Sequence, residues 1–189
     1  LPATEVHPHD RFLEHSLLRF FPPSITPNKL TALRIFLTPV VFFLTLYGHY
    51  RTGFFLFIVA ATTDALDGSM ARTQNKITRF GMLFDPLADK LLIGSMVLIL
   101  VFRYFNNLLG IAILGLEIII ITSALVAKIK FKSEIMANRW GKIKMLLQVV
   151  AMSLTMLALL VDFPLLLSIA FWLFGLAIGF AILSLIKKI

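Results

Sequence analysis

The chain has 189 residues, 59% of them hydrophobic and 15% charged, with a formal net charge of +8. These proportions exclude an ordinary soluble domain and place the chain among membrane proteins. The absence of cysteine excludes disulfides, thiolate metal sites and a cysteine nucleophile. The basic residues stand between hydrophobic spans rather than along one polar face, so membrane topology and anionic lipid account for them better than nucleic acid does. Residue 1 is Leu rather than Met, and residues 1–9 are expected to be added or trimmed sequence.

Residues 1–25 read as an N-terminal segment and residues 26–189 as one transmembrane catalytic domain, because no linker or charge block divides them. Within the first, Leu13, Leu17, Phe20 and Phe21 recur at helical spacing over residues 10–21. This predicts a short amphipathic helix lying in the membrane interface, with Arg11 and Arg19 toward the headgroups, ended by Pro22 and Pro23. Six hydrophobic spans come next, at about 30–49, 53–72, 80–103, 107–128, 141–161 and 164–186. Each approaches the ~20 residues that a bilayer core requires. Lys and Arg concentrate in the N-terminal segment, the 72–79 and 128–144 connections and the carboxyl terminus, while the opposite loops keep only Arg51 and Arg103, with Asp162. The expected fold is therefore an all-α integral membrane protein with six transmembrane helices and both termini cytoplasmic.

One stretch conflicts with this apolar background. Asp64, Asp67, Asp85 and Asp89 are four of only ten acidic residues, and very apolar sequence flanks them on both sides. A carboxylate within a membrane span costs about 2.5–3.5 kcal/mol on insertion scales, so four persist only with cationic compensation. Asp64 and Asp67 are i and i+3 on one helix, and Asp85 and Asp89 are i and i+4 on the next, so each pair shares a face. All-oxygen donors without Cys or nearby His suit Mg²⁺, Mn²⁺ or Ca²⁺. Gly68 and Gly81 remove side-chain bulk beside the two pairs. Arg72, one turn beyond Gly68, is a cation suited to phosphate. The positive-inside orientation puts the cluster in the cytoplasmic half, and Pro86 is expected to loosen the third span between its two aspartates.

Other polar residues carry two readings each. Asn28, Thr31 and Arg34 recur every three residues at the entry of the first span; Arg34 either faces substrate or snorkels to the interface. Glu117, within the fourth span, is either functional or simply hydrogen-bonded between helices. Arg139, Lys142 and Lys144 either serve topology or hold a phosphate. Lys90 is expected to neutralise the acidic cluster or support topology, and the four histidines to be solvated.

The pattern Asp64-x2-Asp67-Gly68-x2-Ala71-Arg72-x8-Gly81-x3-Asp85-x3-Asp89 resembles the signature of the CDP-alcohol phosphotransferase (CDP-alcohol phosphatidyltransferase) family at all eight of its defined positions. The wording around it is most similar to the phosphatidylglycerophosphate synthase branch: residues 78–81, 85–90, 28–34, 117–120 and 140–144. That looser similarity covers roughly residues 26–160. One departure is Leu116, where that branch usually has Arg. The resemblance implies a donor, CDP-diacylglycerol, and two divalent cations, Mg²⁺ or Mn²⁺, held by Asp64, Asp67, Asp85 and Asp89. It also implies Asp85 and Asp89 as catalytic residues, with Asp89 as ligand, general base or both. Asp64, Gly68, Ala71, Arg72, Gly81 and Thr31 would bind the CDP-lipid. The branch further implies glycerol 3-phosphate as acceptor, with Arg139, Lys142, Lys144 and Arg34 as candidates for its phosphate, CMP as leaving group, and a homodimer in the cytoplasmic membrane. Inositol phosphate or serine is the alternative acceptor. A cation or proton transporter is the rival from another class, but it would need polar residues continuing through the outer halves of spans two and three, which are apolar. A purely structural protein with buried ion pairs would leave the glycines beside both acidic pairs without a purpose.

Overall fold

Thr26 takes an extended backbone and Pro27, whose fixed φ suits the first helical position, starts helix α1, Pro27–Leu46. This computed structural model describes residues 26–73, 79–131 and 139–186, all of them helical apart from short connections. The expected amphipathic helix at residues 10–21 lies outside the described residues. Helix α1 begins three residues earlier than the hydropathy suggests, because Pro27 sets its start. It ends at Tyr47 and Gly48, where Gly48 adopts φ +82° and its N–H reaches the Thr45 carbonyl at 3.1 Å. Left-handed backbone of this kind costs glycine nothing, which is why the chain can turn sharply there.

The buried face of α1 carries Thr31, Arg34, Thr38, Val41 and Thr45 at three- and four-residue spacing, with Leu30 beside Thr31. Polar residues can occupy this face because their hydroxyls bond within the helix. Thr31 donates to the Pro27 carbonyl at 3.2 Å, Thr38 to Arg34 at 2.8 Å and Thr45 to Val41 at 2.8 Å. Helix α2, Tyr50–Thr73, packs along α1 and buries Phe57, Ala60, Thr63, Leu66 and Met70; Leu30 meets Leu66 and Met70 in a small apolar core. Helix α3, Arg79–Met96, buries Ala88, Leu92 and Ile93. It is unbroken through Pro86, where loosening was expected. The change of hydrogen-bond spacing comes instead at Val97–Val101, which is π-helical.

The chain divides into two compact units, Leu1–Ser95 and Met96–Ile189. The second opens with the π-helical segment, buried except for Leu98, and a helical turn, Phe102–Tyr104. Asn106 then accepts the Leu108 N–H at 2.9 Å through its side chain, capping helix α4, Asn107–Phe131. Gly110 lies against the Phe102 ring, where an added Cβ would sit 2.6 Å from the ring edge. Helix α5, Arg139–Val161, turns at Asp162 (φ +51°) into helix α6, Pro164–Ile186. The two pack against each other with Met152, Met156 and Ala158 on one side and Ala170, Phe174, Ala177 and Ala181 on the other buried. Small residues let such helices approach closely where lipid supplies no hydrophobic drive between them.

All six hydrophobic spans form helices. Among the described residues, three are long and apolar enough to cross a membrane: α1, α5 and α6; a shorter apolar stretch covers Asn107–Ser123 of α4. Their outer faces are apolar too, with Phe36 69% and Trp172 71% exposed. Such surfaces in water would aggregate, whereas lipid covers them without cost.

Candidate active site

Four acidic residues in two helices set the frame. Asp64, Asp67, Gly68, Ala71 and Arg72 fall in the last three turns of α2; Gly81, Asp85 and Asp89 fall in α3. The side chains of Asp64, Asp67, Ala71, Arg72 and Asp85, and the surroundings of Gly68 and Gly81, lie outside the described part of the structure. Helix α2 is continuous through residues 64–73 and α3 through 79–96, so the pairs keep the i, i+3 and i, i+4 registers that put each on one helical face.

Asp89 is the described member, and its partner is the surprise. Arg34 of α1, completely buried, donates from Nη1 to Asp89 Oδ1 at 2.6 Å. The same guanidinium donates from Nε to the Ala60 carbonyl and to Thr63 Oγ1, each at 3.2 Å. Thr63 in turn donates its hydroxyl proton to the Ala60 carbonyl at 2.6 Å. One arginine thus ties α1 to α2 and α3. The Asp89 side chain keeps 15% of its surface accessible, against 0% for Arg34, so the pair is sealed on the arginine side and partly open on the carboxylate side. Snorkelling to the interface does not describe Arg34. A buried guanidinium whose donors all faced lipid would be prohibitively costly; paired with a carboxylate and a carbonyl, it is compensated.

Thr31 is buried with its hydroxyl on the Pro27 carbonyl. The basic group of the second unit divides. Arg139 and Lys142 are exposed in the first turn of α5. Lys144 is buried and its ammonium donates to Glu117 Oε1 in a short ion pair; Gln148, one turn further on, donates its amide to the same oxygen at 3.2 Å. Glu117 is therefore hydrogen-bonded between α4 and α5. Gln148 Oε1 is buried and has no hydrogen-bond partner among the described residues. Sequence reasoning missed Thr63, Ala60 and Gln148. Thr63 adjoins Asp64 and could have been found from that; Gln148, a lone amide among apolar residues, was also visible; a backbone carbonyl such as that of Ala60 leaves no sequence signal.

The comparisons with known proteins agree with the motif. The CDP-alcohol phosphatidyltransferase family profile matches residues 24–183. A Rickettsia felis protein named CDP-diacylglycerol–glycerol-3-phosphate 3-phosphatidyltransferase is 35% identical over 139 residues, covering 69% of this chain and 74% of that protein. A Bacillus subtilis protein of the same name is 36% identical over 148 residues, covering 69% and 76%. One from Salmonella choleraesuis is 35% identical over 137 residues, covering 67% and 74%. With its eight motif positions borne by α2 and α3 and the family profile matched along most of its length, this chain belongs to the CDP-alcohol phosphatidyltransferase family.

Proposed function

We propose that this membrane protein transfers the phosphatidyl group of CDP-diacylglycerol to glycerol 3-phosphate, forming phosphatidylglycerophosphate and releasing CMP in phospholipid biosynthesis. The names of the relatives support the donor and the acceptor. The observation that carries the chemistry is Asp89, a partly accessible carboxylate on the motif helix whose charge a buried arginine balances.

Asp64 and Asp67 on α2 with Asp85 and Asp89 on α3 would make an all-oxygen donor set, whose chemistry fits Mg²⁺ or Mn²⁺. Bound there, two such ions would neutralise charge on the pyrophosphate and on its leaving oxygen. Arg72 meets phosphate charge, and Gly68 and Gly81 leave room for the cytidine nucleotide. Asp89 takes the proton of the acceptor hydroxyl as that oxygen attacks the diacylglycerol-bearing phosphorus. The new P–O ester bond forms, the bond to the bridging oxygen breaks, and CMP departs with that oxygen. Asp85 completes the catalytic pair. Arg139 and Lys142, exposed where α5 begins, are the candidates for the acceptor's phosphate. Lys144 and Arg34 are already engaged by carboxylates.

The same reading has six membrane-crossing helices, both termini in the cytoplasm, a site open to the cytoplasm in the cell membrane, and a homodimer, which the family resemblance implies. Leu116 is the observation that keeps a second acceptor in view, since it stands where Arg is usual in that branch. The test is CMP release by purified protein given CDP-diacylglycerol with glycerol 3-phosphate, inositol phosphate, inositol or serine. Glycerol 3-phosphate should support release, and Asp67→Asn or Asp85→Asn should lower it at least about 100-fold at saturating Mg²⁺ while the protein still purifies folded. Release with inositol phosphate or serine alone overturns the acceptor, and near-normal turnover of either variant overturns the metal roles.

A further inference from the structure

Arg34 stood at the sequence level as a contact for the acceptor's phosphate, and its surroundings argue for another task. We propose that Arg34 is the positioning residue for Asp89: Thr63 and the Ala60 carbonyl of α2 fix the plane of its guanidinium, and that plane sets the orientation of the Asp89 carboxylate for attack. This rests on the phosphatidyltransferase reading and adds a residue and a direction to it.

Three features carry the inference. Arg34 has no exposed surface, whereas a group that grips a soluble phosphate must present its fork to the substrate. Its Nε is held by two acceptors 3.2 Å away, both on α2, so the planar group cannot swing about its stem. Its Nη1 then meets Asp89 Oδ1 at 2.6 Å, a charge-assisted distance, and the Asp89 side chain retains partial access. An aspartate has two side-chain torsions, and a short bond from an immobile donor to one of its oxygens restricts both. Lysine could not reproduce this, because a single ammonium on a flexible stem cannot reach α2 and Asp89 in one fixed plane. General-base transfer depends on such placement: a shift of about 1 Å can cost about 100-fold in rate.

The test is steady-state CMP release with whichever alcohol the unaltered protein accepts, for Arg34→Lys, Thr63→Val and Thr63→Ser, each corrected for the folded fraction. Arg34→Lys should lower kcat about 100-fold and leave the acceptor KM within about threefold, the pattern of an interaction used in the transition state and not in binding. Thr63→Val, nearly isosteric, should lower kcat by a smaller factor, about 3–10-fold, with KM again unchanged, and Thr63→Ser should restore it. A raised acceptor KM with kcat retained in Arg34→Lys overturns the proposal and returns Arg34 to the phosphate. If Arg34→Lys does not fold, Thr63→Val decides: a normal kcat overturns the proposal, as does a Thr63→Ser variant no better than Thr63→Val. Failure of the underlying reading shows differently, as an unaltered protein that releases CMP with none of the alcohols.

Discussion

At the scale of single residues, the two buried ion pairs among the described residues, Arg34–Asp89 and Lys144–Glu117, each join distant parts of the sequence. Glu117 and Lys144 are the pair of the second unit, with Gln148 sharing the same carboxylate oxygen. Truncating one partner leaves the other charge without compensation, a larger penalty than the pair's own worth. Lys144→Met should therefore lower stability by about 2.5–3.5 kcal/mol, read as an earlier midpoint in an SDS unfolding titration. The double variant Glu117→Leu with Lys144→Met should recover most of that loss, because both charges go together. A single variant as stable as the unaltered protein would show that water reaches Glu117. These pairings were not legible in the sequence. That Asp89 needs a cationic partner was, since its spacing from Asp85 and its apolar flanks are local facts. Its partner lies 55 residues away, and Lys144 lies 27 from Glu117. Helical periodicity says which residues share a face and nothing about which face of another helix comes to meet it.

Elements were more readable than pairs. Each hydrophobic span became a helix, with ends displaced by two or three residues where proline at the first position or a preceding turn set the start. The interior of the third span was not readable: Val97–Val101 is a uniform run of branched aliphatic residues, and nothing in such a run signals a π-helical register. Gly110 packs against the helical turn that succeeds this run. Phe102 occupies the space where a Cβ at position 110 would stand, at 2.6 Å, so any larger residue must push the ring aside. Gly110→Ala should lose about 1–3 kcal/mol by overpacking, despite alanine's better helix propensity, and Gly110→Ala with Phe102→Leu should regain part of it. Denaturant midpoints of the two variants measure this. A Gly110→Ala variant more stable than the original would mean the ring moves freely.

For the whole molecule, charge distribution is the legible quantity, and it predicts topology better than geometry. The proposed topology, drawn from basic residues on one set of connections, has residues near Asp162 facing away from the cytoplasm and both ends of this sequence facing into it. The absence of cysteine makes this direct to check with single introduced thiols. Asp162→Cys should react with an impermeant maleimide on intact cells, and a cysteine appended at either end should react only after the membrane is opened. The reverse pattern would invert the molecule, and labelling at just one end would require an odd number of crossings.

The self-bonded threonines of α1 have a consequence for how the protein is made. Because Thr31, Thr38 and Thr45 satisfy their own hydroxyls within the helix, the charge that this segment carries deepest into its buried face is the guanidinium of Arg34. The carboxylate that holds it emerges from the ribosome only 55 residues later. A nascent chain halted before residue 89 lacks that counter-ion, so its first helix should resist alkaline extraction from the membrane less well than that of a chain halted beyond it.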